Sequence, residues 1–88
     1  MVEEVVVVNS EVGLHARPAA VFVQTASAFE SKVTLEANGK TANGKSILQV
    51  LLLGAKNGHS LLIRAEGSDE ADAVRVLSEL VRGGMSTA

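Results

Sequence analysis

Lys32-Val33-Thr34-Leu35-Glu36-Ala37-Asn38-Gly39-Lys40 is the stretch that decides the fold. Val33, Leu35 and Ala37 alternate with Lys32, Thr34 and Glu36, which is the pattern of a half-buried strand. Asn38-Gly39 then supplies two residues that tolerate positive φ, the strongest short hairpin signal. The returning strand, Lys40 to Asn43, is predicted to be short.

Working outward, Val2 to Val8 is β-branched and reads as a strand. Its four consecutive valines suggest a central strand rather than an edge. Asn9 to Gly13 reads as a polar loop. A helix is predicted from Ala16 to about Ala28, because Ala19, Phe22, Val23, Ala26 and Phe29 recur at helical spacing. Ser46 is a good N-cap for a brief helix, Ile47 to Leu53, which Gly54 would close. Asn57-Gly58 marks a second turn, and His59 to Ala65 reads as another strand. Ser68 or Asp69 is expected to cap a last helix reaching Arg82, with Asp69, Glu70 and Asp72 at its positive end. Val74, Leu77 and Val81 form its predicted buried stripe, extended by Ala71. Gly83-Gly84 would end it, leaving Met85 to Ala88 as a frayed tail.

The expected order is β-α-β-β-α-β-α. It implies an α/β (α+β) open-faced sandwich, a four-stranded antiparallel sheet covered on one face by helices. The 88 residues are expected to form a single domain, near the lower size limit for folding without staples. The chain has no cysteine, so its core must suffice; with 47% hydrophobic residues and only Phe22 and Phe29 as aromatics, that core is aliphatic.

Composition also excludes classes of function. Two aromatics offer no stacking platform for single-stranded nucleic acid, and a net charge of −2 with scattered basic residues argues against nucleic-acid partners. No apolar run has membrane-spanning length, and Val2 to Val8 lacks a positive flank and a cleavage site. A cytoplasmic protein without membrane association is expected.

The segment carrying chemistry is Gly13-Leu14-His15-Ala16-Arg17-Pro18-Ala19. It places a histidine just before a helix, with arginine and proline in the first turn. Proline lacks an N–H and fits where helix N–H groups have no internal partner. The free N–H groups of Ala16 and Arg17, the helix dipole and the Arg17 guanidinium together suit an anion. A neutral imidazole beside such a site is able to accept a phosphoryl group. By residue chemistry alone, His15 is equally a surface histidine loosely capping a helix. Arg17 points away from that reading, because a cation in a first turn is unfavourable unless an anion visits.

This segment resembles the active-site motif of the histidine-containing phosphocarrier proteins (HPr) of the bacterial phosphoenolpyruvate-dependent sugar phosphotransferase system. Asn38-Gly39-Lys40, Lys45-Ser46-Ile47, Leu53-Gly54 and Ala65-Glu66-Gly67 resemble later landmarks of that family. The resemblance implies that His15 accepts phosphate through Nδ1. It further implies that Arg17 balances the phosphate charge and that Ala16 donates a backbone N–H. Such a protein takes phosphate from phosphoenolpyruvate through enzyme I and passes it to sugar-specific IIA proteins. It is a carrier without turnover of its own, most simply a monomer, needing no cofactor. No residues have metal-ligand spacing.

The resemblance gives Ser46 a second role beyond N-capping, as a regulatory site phosphorylated by an ATP-dependent HPr kinase, with a transcriptional regulator as a further partner. It also makes the short helix a docking face, with Ile47, Leu48 and Leu51 as expected contacts. Gln49 and Leu52 depart from the smaller residues common in Gram-positive members, and Val12 replaces a small polar residue. Two alternatives remain open: a regulatory, non-sugar phosphotransfer paralogue, and a binding module that signals through Ser46.

One competing motif is set aside. Gly39 to Ser46 fits G-x-x-x-x-G-K-[ST], but that pattern carries nucleotide chemistry only between a buried parallel strand and a long helix. Here it begins at a hairpin turn and precedes a short helix. His59 reads as a surface strand-end residue.

Overall fold

Asn38 and Gly39 adopt φ of 55° and 74°, both left-handed, as a two-residue hairpin requires. They join β2 (Lys32–Ala37) to β3 (Lys40–Asn43), with Ala37 opposite Lys40 and Thr34 opposite Asn43. The structure is a computed structural model that describes residues 1–8, 16–55 and 58–83. The other elements are β1 (Val2–Val7), α1 (Ala16–Ser27), α2 (Ile47–Leu52), β4 (Ser60–Glu66) and α3 (Glu70–Arg82). Element order and type match the sequence reading throughout.

The four strands form one antiparallel sheet in the order β1-β4-β2-β3. Alternation sends Val33, Leu35 and Ala37 of β2, and Leu61, Ile63 and Ala65 of β4, into the core. There they join Phe22 of α1, Val50 of α2 and Leu77 of α3. Burying each large aliphatic side chain contributes about 1.5–3 kcal/mol, so this one layer between sheet and helices supplies the main stabilising force. The opposite face of the sheet is open.

Two expectations are corrected. β1 lies at an edge of the sheet, not its centre. Val6 and Val8 are buried, but Val5 and Val7 are 60% and 56% exposed on the open face. A valine run resembles a doubly buried strand, yet in a one-sided antiparallel sheet alternate valines still face solvent. Ala71 is exposed rather than part of the α3 stripe, whose buried residues are Ala73, Val74, Leu77, Ser78 and Val81. Ala71 shares a row with Ser78 at the flank of that face but sits in the first turn of the helix, where it stays exposed.

Asp69 occupies the N-cap position of α3 but makes no side-chain bond to its own helix. Its carboxylate instead crosses to the turn after α1. It accepts the Glu30 and Ser31 backbone N–H groups at 2.9 Å each, and the Ser31 hydroxyl. These bonds hold the Asp69 carboxyl below its usual pKa, the Ser31 hydroxyl first and the Glu30 N–H next. Gly67 allows this close approach, since a Cβ there would lie 2.7 Å from Ser31 Cα. The expected tail, Met85 to Ala88, lies outside the described residues.

Candidate functional site

The sequence motif leads directly into α1. Ala16 and Arg17 are its first two residues and Pro18 its third. Pro18 is buried, and Ala19 beneath it is fully buried in the core. This seats the start of the helix firmly on the molecule. The first N–H groups of an α-helix have no partner one turn back, and Pro18 removes one of those donors outright. The first turn contains no acidic residue of the kind that complements the positive end of the dipole. His15, the expected phosphoryl acceptor, lies outside the described residues, as does Val12.

Ser46 stands where the sequence placed it, N-capping α2. Its backbone is extended (φ −118°, ψ 113°), and its hydroxyl oxygen accepts the Gln49 N–H at 3.3 Å. Neighbouring Lys45 donates from Nζ to the Phe29 carbonyl at 2.7 Å, tying this corner to the end of α1. Gly54 closes the helix in the left-handed region, its N–H bonded to the Leu51 carbonyl at 3.2 Å. The stretch Gly39 to Ser46 is thus a hairpin turn, an edge strand and a cap. It leads into a helix of only six residues, which is not the setting of a nucleotide-binding loop.

α2 packs on α1 and β3, anchored by buried Val50 and followed by buried Leu53. Its other face is apolar and open: Leu48 is 67% exposed, Leu52 63% and Ile47 43%. Ile47 and Leu48, two of the expected contacts, are among these exposed residues. Leu51 is half-buried against the core instead, and Leu52, not selected from sequence, takes the outer position. The signal for Leu52 was the Val50/Leu53 pair, whose i, i+3 spacing already defined the inward face. Beside Leu52, a depression of about 240 Å³ is lined by Lys40, Thr41, Gln49, Leu52 and Leu53.

His59 is half-buried just before β4, and its carbonyl accepts the Val8 N–H at 2.9 Å. Among the described residues no group of His, Cys, Asp and Glu side chains is arranged to hold a metal ion. No helix there is long and apolar enough to cross a membrane.

An open-faced sandwich with a histidine before a helix whose first turn is basic, and an apolar short helix nearby in the fold, defines the phosphocarrier class. Comparison with known proteins agrees. Residues 2–83 match the family described as the PTS HPr component phosphorylation site. The chain belongs to this HPr phosphocarrier family. HPr-C-His from Thermoanaerobacter tengcongensis is 39% identical, with a TM-score of 0.92 and 100% of each chain covered. The phosphocarrier protein HPr from Bacillus anthracis is 41% identical, with a TM-score of 0.88 over 91% of this chain and 95% of its own. Crh, a catabolite repression protein of Bacillus subtilis, is 40% identical, with a TM-score of 0.77 over 99% and 100%.

Proposed function

We propose that this chain is a cytoplasmic, single-domain phosphoryl carrier that accepts phosphate on His15 from phosphoenolpyruvate through enzyme I and passes it to IIA proteins. The observation that carries the reading is the family match across the phosphorylation-site segment, which leads into a helix whose first turn holds Arg17 and no carboxylate. The neutral imidazole attacks the phosphorus in line. The phosphorus–nitrogen bond of His15 forms as the bond to the donor histidine of enzyme I breaks, and the reverse exchange delivers the group to IIA. Arg17 and the Ala16 N–H stabilise charge on the transferring oxygens. The hold must be moderate, because a site that over-stabilised the phosphate would not release it.

Ser46 is the regulatory position of this proposal. Phosphorylation there adds about two negative charges beside exposed Ile47 and Leu48, weakening apolar docking while leaving the fold intact. The similarity to Crh favours a second reading, service in a regulatory branch, in which His15 and Arg17 would look the same. The proposed monomer stands beside relatives that pair: T. tengcongensis HPr, 44% identical with a TM-score of 0.77, is also known as a dimer. Light scattering at working concentration distinguishes the two states.

The test is intact-protein mass after incubation with phosphoenolpyruvate, magnesium and enzyme I. The wild type should gain one acid-labile phosphoryl group and His15→Ala none. Full uptake by His15→Ala, or none by the wild type with enzyme I of its own source, overturns the carrier reading.

A further inference from the structure

Helix α2 is six residues long, far below the length at which a helix holds itself together in water. Buried Val50, half-buried Leu51 and the contact with α1 seat its inner face, but apolar contacts alone leave a short helix some freedom to rotate and tilt. The β2–β3 hairpin adds polar restraints near both ends. At the near end, Gln49 Oε1 accepts the Asn43 backbone N–H at 2.8 Å, linking the helix to the last residue of β3. At the far end, Asn38 Nδ2 donates to the Leu53 and Gly54 carbonyls at 3.2 and 3.3 Å. The Leu53 carbonyl, at the C-cap, is one that a helix C-terminus leaves without an internal partner. Asn38 is held for this contact by its left-handed turn conformation. One rigid hairpin therefore grips both ends of the segment that presents Ile47, Leu48 and Leu52.

We infer that Asn38 and Gln49 are positioning residues: acting through α2, they set the pose in which its exposed apolar side chains meet a phosphotransfer partner. The inference rests on the carrier reading above. Neither residue touches the transferring phosphate in this scheme. Their loss should therefore weaken partner encounter and leave the chemical step unchanged.

The experiment is steady-state phosphorylation of the carrier by phosphorylated enzyme I, together with amide hydrogen exchange of the free carrier. Asn38→Asp keeps a residue that tolerates positive φ but replaces the donor with a carboxylate facing two carbonyls. Gln49→Met keeps length without the acceptor, and Gln49→Glu keeps the acceptor. Asn38→Asp and Gln49→Met should raise KM for the carrier about three- to tenfold with kcat within about twofold, the split expected when binding alone is lost. Gln49→Glu should stay near wild type. Exchange should quicken at the Val50, Leu53 and Gly54 amides, whose acceptors are the carbonyls of Ser46, Val50 and Leu51. Unchanged KM in folded Asn38→Asp and Gln49→Met, or an equal rise in Gln49→Glu, overturns the inference. Absence of phosphoryl uptake by the wild type overturns the carrier reading and the partner half of this one. Unchanged exchange in α2 overturns the positioning half in either event.

Discussion

The two long helices begin in opposite ways: α3 opens with Asp69, Glu70 and Asp72, whereas α1 opens with Ala16, Arg17 and Pro18 and has no acid in its first turn. Acids at a helix N-terminus complement its positive end, and α3 follows that rule. Its acids also reach outward. Asp69 ties down the turn after α1, Glu70 accepts the Gly67 N–H at 3.3 Å, and Glu70 pairs with the amino terminus at 2.7 Å. At α1 the first turn holds no acid, and its one charged residue is Arg17. The difference separates a helix start used to hold the molecule together from one suited to a visiting anion. Mutations at the first should change stability and spare transfer. Mutations at the second should do the reverse.

The largest expected effect tests the α1 side. Arg17→Gln should slow phosphoryl transfer to His15 by about a hundredfold, the scale of losing one charge-stabilising donor. Its Tm should hold or rise, because a cation leaves a positive helix end. A variant that loses stability and keeps its transfer rate would erase the proposed contrast. Rapid-quench transfer kinetics and calorimetry supply the two readouts.

Next comes the α3 side. Gly67→Ala forces a Cβ to within 2.7 Å of Ser31 Cα, a backbone neighbour that has little room to yield. A loss of about 1–3 kcal/mol is expected from overpacking, read by urea denaturation. The transfer rate of the folded fraction should match wild type.

Acid sensitivity sharpens the same comparison. The folded protein holds the Asp69 carboxyl below its ordinary pKa. Its contribution to stability is therefore complete above the ordinary aspartate value of about 3.9 and is lost as pH falls from there through the lower folded value. Glu70 is shifted in the same direction by its bond to the amino terminus, so it adds to the same acid loss. Asp69→Ala should lower Tm at neutral pH and show a shallower fall of Tm on acidification. An unchanged acid slope would place the sensitivity elsewhere.

The smallest effect comes from α3's exposed flank. Arg75 lies 3.8 Å from both Asp72 and Glu79, with all three side chains well exposed. Arg75→Gln should shift Tm by no more than about a few degrees, because surface pairs of this kind contribute little. A large drop would mean that this helix depends on its outer face as well as its inner one.

Much of this was legible from residue order. Alternation in β2, the Asn38-Gly39 turn, the Ser46 cap and the α1 stripe are local signals, each acting over a few residues, and each appears in the structure where expected. The candidate site is proposed from the sequence for a different reason, because His15, Arg17 and Pro18 are neighbours in the chain. What escaped were the long-range choices. The valine run read as a central strand until strand order put β1 at an edge. Asp69 read as a cap until folding brought Ser31 within reach. The tertiary packing half-buries Leu51 and leaves Leu52 exposed, a distinction the sequence reading did not draw.

The sequence by itself determined the order and type of the elements, the aliphatic character of the core and the phosphorylation motif, because periodicity, turn chemistry and capping act between residues close in the chain. Only the tertiary structure decided which strand lies at the edge, where the Asp69 carboxylate goes and how the hairpin grips α2. Those outcomes rest largely on groups far apart in the chain meeting across the fold, as Val2 does with Ala65, Asp69 with Ser31 and Asn38 with Leu53, and no local pattern encodes which of several satisfactory partners each will find.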